Sequence, residues 1–86
     1  MYKIPETSIN QKVGDELVIL NLESGHYFGL DEVGARMVEL IGEHGEVDKV
    51  VACMVEEYDA SQSQIKADLE DLLKELTKNN LIVEIP

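Results

Sequence analysis

Short apolar runs that suit strands fill the first third of the chain, and apolar positions then recur at helical spacing from Val33 to Leu76. Ile9 to Val13 predicts a short strand, stopped by Gly14-Asp15. Leu17 to Leu22 is a dense run of β-branched and leucine residues and predicts a central strand. Glu23-Ser24-Gly25 predicts a hairpin loop with glycine where a positive φ is needed. His26 to Leu30 returns as the partner strand. Asp31 follows as a helix cap, its carboxylate placed to accept from the free N–H groups of the first turn, and Glu32 adds favourable charge there. Val33, Met37, Leu40 and Ile41 predict that helix's buried stripe, with Gly42 and Gly45 at its exit.

Val47, Val50, Val51, Met54, Val55 and Tyr58 fall on one face of a second helix, from Val47 to Tyr58. Ser61 and Gln64 make a capping box for a third, whose stripe is Ile65, Leu69, Leu72, Leu73 and Leu76. Asn79 or Asn80 ends it in a left-handed turn, and Leu81 to Ile85 reads as a short strand or extended tail. Met1 to Ser8 reads as a loose lead-in. Residues 1–86 therefore predict one α+β domain of winged-helix-like architecture: a three-stranded antiparallel sheet, three helices and a short C-terminal strand or tail.

Composition narrows the function. The formal net charge is −11, from 18 acidic and seven Lys or Arg residues. A nucleic-acid binder gains most of its affinity from clustered Lys and Arg neutralising phosphates. This chain repels polyanions and anionic membrane surfaces and attracts basic or neutral polypeptide. The third helix sets Asp68, Glu70, Asp71 and Glu75 against Lys66, Lys74 and Lys78, so a winged-helix regulator of DNA is the weaker reading. No apolar run approaches a membrane span, and Met1 to Asn10 lacks the apolar stretch of a signal peptide. A single cysteine, Cys53, suits a reducing cytoplasm.

A search for catalytic chemistry returns almost nothing. His26, His44 and Cys53 lack metal-ligand spacing, and Cys53 lies beside the second helix's stripe as a small half-buried hydrophobe. Gly25, Gly29 and Gly34 make neither a dinucleotide fingerprint nor a P-loop. The expectation is a protein without catalysis, metal or cofactor.

What remains is a surface. His26, Tyr27, Phe28, Gly29 and Leu30 form the last strand of the group, and its outer backbone groups are expected to be unpaired. On the third helix Gln64, Asp68, Asp71 and Glu75 share one flank of the leucine stripe and can rim a groove floored by Leu69 and Leu72. A peptide laid along the strand would add itself to the sheet. The plainer alternatives are a short twisted edge and an ordinary solvated helix face.

The run Leu17 to Arg36, with Glu56-Glu57-Tyr58-Asp59, Ile65 to Leu69, Leu72 to Leu76 and Asn80-Leu81-Ile82, resembles the PqqD-like proteins. The resemblance covers nearly the whole chain beyond its first residues. It implies an adaptor that binds the leader of a ribosomally synthesised precursor peptide and presents it to a modifying enzyme, such as a radical SAM protein or a leader peptidase. It also implies that the leader adds to the strand His26–Leu30 and lies against the third helix around Asp68 to Leu72. Asp31 stands where an Asn is common, Val38 where many relatives have Trp, and Glu46 at a cap position usually held by Ser or Thr. The Phe28-Gly29-Leu30 step looks closer to the broad PqqD-like and lasso-associated group than to the quinone pathway's own protein. A structural subunit of a larger complex is the other reading. The expected state is a monomer, or a weak homodimer exchanging strands through the same edge.

Overall fold

The computed structural model describes residues 1–86. Its elements are β1 (Tyr2–Lys3), β2 (Ser8–Val13), β3 (Glu16–Asn21), β4 (Tyr27–Leu30), α1 (Glu32–His44), α2 (Val47–Glu57), α3 (Gln62–Lys78) and β5 (Val83–Glu84). Strands β2, β3 and β4 form an antiparallel meander in that order. The alternation of β3 sets its two faces: Leu17, Ile19 and Asn21 are buried, while Val18 and Leu20 are half-exposed on the opposite face. Register carries this across the sheet, pairing Ile19 with Phe28 on the inner face and Leu20 with both Ile9 and Tyr27 on the outer.

The helices cover the inner face. Met37, Leu40 and Ile41 of α1, Val50, Val51 and Met54 of α2, and Ile65, Leu69, Leu73 and Leu76 of α3 meet Leu17, Ile19 and Leu30 in one core. Burying these side chains is the main favourable term in folding. Asp31 caps α1 as expected, accepting from the Gly34 N–H at 2.9 Å. Ser61 caps α3 through the Gln64 N–H at 3.2 Å. The Glu46 side chain makes no capping hydrogen bond at the start of α2. Gly45 ends α1 at φ 74°, and an added Cβ there would stand 3.2 Å from the Tyr2 carbonyl oxygen, so both conformation and space require glycine.

Several expectations need correction. Met1 to Ser8 is not loose: β1 pairs with β5 antiparallel, and the Tyr2 N–H donates to the Gly45 carbonyl. Val33 is 41% exposed rather than part of α1's buried stripe, which instead includes Ala35 and Val38. Val55 faces outward on α2. The chain leaves β3 at Asn21, one residue earlier than expected, because that side chain is used as a hub. Its Oδ1 accepts from the Glu23 and Ser24 N–H groups, and its Nδ2 donates to the Asn80 carbonyl. Asn80 is the residue in the left-handed conformation, φ 59°, after α3. Gly25 has the expected positive φ, 76°, in the β3–β4 loop.

Candidate functional site

Strand β4 is an edge. The C-terminal strand does not cover it: β5 pairs with β1 in a separate two-stranded sheet. The free backbone groups on that edge follow from one bond. The Asn21 N–H donates to the His26 carbonyl at 2.8 Å, and successive residues of a strand alternate between its two sides. With the register Leu20↔Tyr27, Ile19↔Phe28, Val18↔Gly29 and Leu17↔Leu30, Phe28 and Leu30 bond back to β3. Tyr27 and Gly29 present their N–H and C=O groups outward.

His26 takes no part in this edge, because its N–H donates to the Ser24 hydroxyl and its carbonyl is held by Asn21. Of the strand His26–Leu30, whose outer backbone groups are expected to be unpaired, Tyr27 and Gly29 are the residues that present them.

Beyond the edge lies a recess of about 500 Å³, lined by Gly29 and Leu30 of β4, Asp31, Val33, Gly34 and Met37 at the start of α1, and Asp68 and Leu72 of α3. Leu30 is buried and Leu72 half-buried, so the recess has an apolar floor; the carboxylates of Asp31 and Asp68 stand at its rim. Asp68 accepts from Gln64 Nε2 at 2.9 Å, which holds its carboxylate in place one turn on from Gln64 in α3.

Gly29, Leu30, Asp68 and Leu72 thus come together as anticipated, with Gln64 behind Asp68. Asp71 and Glu75 are exposed on α3 but do not line the recess. Leu69 does not floor it either: it is 0% exposed, in the centre of the core. Phe28 packs half-buried against the core, and Tyr27 is 75% exposed on the outer sheet face.

The contribution of α1 was missed. Asp31, Val33, Gly34 and Met37 enter because β4 runs into the α1 cap without a spacer, a signal visible in the Leu30-Asp31 junction.

The ion pairs lie elsewhere. Arg36 grips Glu57 through Nε at 2.7 Å and Nη2 at 2.8 Å, and Lys12 reaches Glu39 at 3.1 Å. The Arg36 guanidinium holds the Glu57 carboxyl below the usual carboxylate range, and the Lys12 ammonium, with Arg36, does the same for Glu39. These contacts tie α1 to α2 and to β2, away from the recess.

The family described as "Coenzyme PQQ synthesis protein D (PqqD)" matches residues 16–82. The chain belongs to the PqqD family. The PqqD match runs from the start of β3 to the turn after α3, so it includes both walls of the recess. Over 98% of this chain and 98% of the other, the fold superposes on "TbiB1 in Complex with the TbiA(beta) Leader Peptide" with TM-score 0.89 and 32% identity. A second solved structure, "Lasso peptide synthetase B1 complexed with the leader peptide", shares the fold at TM-score 0.86 and 18% identity, covering 96% of this chain and 98% of that one. No curated protein matches the chain.

Proposed function

We propose that this PqqD-family chain is a non-catalytic adaptor that binds the leader of a ribosomally synthesised precursor peptide and presents it to a modifying enzyme. A radical SAM protein or a leader peptidase suits that role. The observation that carries the reading is the open edge of β4 beside an acid-rimmed recess, in a chain 32% identical to TbiB1, which was solved with a leader peptide. The leader orders as a fourth strand on Tyr27 and Gly29, each ladder bond contributing about 0.5–1.5 kcal/mol net. Its inward side chains enter the recess over Leu30 and Leu72, and its basic residues meet Asp68 and, further along α3, Asp71 and Glu75. Ordering a flexible segment costs about 2–5 kcal/mol, which suits binding in the micromolar range. The adaptor then raises the substrate's effective concentration at the enzyme. Nothing in this role needs a cofactor, a metal or a membrane, and no helix is long and apolar enough to cross one.

Isothermal titration with the precursor leader encoded beside the gene, and with the TbiA(beta) leader, tests the reading. Saturable binding by at least one is expected. Amide hydrogen exchange sharpens the test: Tyr27 and Gly29 gain protection in the complex, whereas Phe28 and Leu30 are already protected without it. Failure of both peptides to bind, or protection confined to other elements, overturns the adaptor reading. A DNA regulator would instead need to overcome the charge of −11, and retardation of DNA at low salt would revive that alternative.

A further inference from the structure

Gly29 is a glycine that the isolated fold does not need. It sits inside β4, where glycine gives up backbone entropy and side-chain packing. Its φ is not positive, and a Cβ built on it meets nothing within 4 Å. In this it differs from Gly45, which the backbone and Tyr2 both demand. An interior strand glycine without a local cause commonly marks the close approach of a ligand or another backbone.

The surroundings say what approaches. Register places Gly29 beside Val18 in a non-hydrogen-bonded pair, the arrangement that brings facing side chains closest. Both lie on the outer sheet face, with Leu20 and Tyr27 in the adjacent row. Apart from Gln11 and Glu16, that face is apolar though open to water: Ile9, Val13, Leu22 and Tyr27 are exposed on it and Val18 and Leu20 half-exposed. Gly29 leaves a notch in this surface, and the notch lies on the edge where Gly29's own N–H and C=O point outward.

Resting on the adaptor reading above, we propose that Gly29 is a specificity-determining residue that selects leaders carrying an aromatic side chain. A residue paired with Gly29 across the new ladder places its side chain on the outer face. With no Cβ in the way, an aromatic ring there leans over Gly29 onto Val18, with the exposed Tyr27 as a diagonal neighbour. Packing of an aromatic over a cross-strand glycine is a known means of compensating glycine in sheets. The next residue of the same leader points the other way, into the recess beside Leu30 and Leu72. The recognised element is therefore two consecutive apolar residues, one aromatic over Gly29 and one in the recess.

The test separates folding from binding. Gly29→Ala and Gly29→Val should raise the thermal midpoint of the free protein by about 2–6 °C, because each restricts the unfolded chain at a position with room for it. The same variants should weaken binding of the synthetic leader encoded beside the gene, by about tenfold for Gly29→Val, in which the new methyls occupy the ring's place. A double-mutant cycle assigns the contact. Replacing the leader's aromatic residue with Ala should weaken binding to the wild-type protein, and Gly29→Val should then cost little more. Wild-type binding with undiminished affinity in Gly29→Val overturns this role for Gly29 and leaves the adaptor reading standing. So does a thermal midpoint that falls, a cycle without coupling, or a leader that binds without an aromatic residue. Failure of both this leader and the TbiA(beta) leader to bind the wild-type protein overturns both.

Discussion

Asp68 combines a structural bond with a free charge. Its Oδ1 accepts from Gln64, which leaves Oδ2 at the rim of the recess for a cation on the leader. Asp68→Asn keeps an oxygen for Gln64 and removes only the charge. A basic leader should bind this variant about two- to fivefold more weakly, the size expected of one solvent-exposed pair, while the thermal midpoint stays unchanged. Asp71→Asn should have a smaller effect, because Asp71 lies outside the recess. Titration calorimetry alongside a melting curve checks both, and equal affinities for the two variants and the wild type would place the cationic contact elsewhere. A different single-residue role belongs to Asn21, whose amide serves two loop N–H groups and the Asn80 carbonyl from a position 4% exposed. Asn21→Ala strands those groups and should destabilise the domain by about 1–3 kcal/mol in a denaturant titration.

Between elements, the joints are either apolar and periodic or polar and aperiodic, and only the first kind was legible in the sequence. The stripe of α3 and, apart from Val55, that of α2 are legible because burial imposes a period on them, and the dense apolar run of β3 marks it as a central strand. Strands β1 and β5 contain two residues each, too few to show alternation, so their pairing was invisible. The open edge could be located from the order of strands. Which of its residues present free backbone groups depends on the Asn21–His26 bond, and no residue pattern encodes that. Likewise Asp68 and Leu72 were foreseen from helical spacing, whereas Val33 and Met37 required the docking of α1 beside α3. The Arg36–Glu57 joint between α1 and α2 is polar and has its own pH signature. A carboxyl held below its unfolded value contributes stability that is fully present above the unfolded value and lost as pH falls through the folded one. Arg36→Met should therefore melt slightly below wild type at neutral pH, and the gap should close as pH falls below about 4. A gap that persists at low pH would mean that Arg36 acts through its packed stem rather than its charge.

The whole molecule carries a charge of −11, and acidic residues occur on all three helices rather than only at the recess. Such a distribution adds little to the stability of a docked complex, since most of these charges stay in water, where salt screens them. It acts on approach: a basic leader is drawn toward the surface from a distance, and the field steers many unproductive encounters into a productive one. Rate and lifetime should therefore respond differently to salt. Raising ionic strength from about 0.01 M to about 0.15 M shortens the Debye length from about 30 Å to about 8 Å, and the association rate of a basic leader should fall by about tenfold or more. The dissociation rate, set by the ladder on Tyr27 and Gly29 and by apolar contacts in the recess, should change far less. Stopped-flow measurement with a fluorescent leader reads both constants. If the salt dependence appears mainly in dissociation, the relevant charges are the few at Asp31 and Asp68, in short contact with the bound peptide. If it appears in neither, the acidity serves the domain's solubility and not its encounter with the leader.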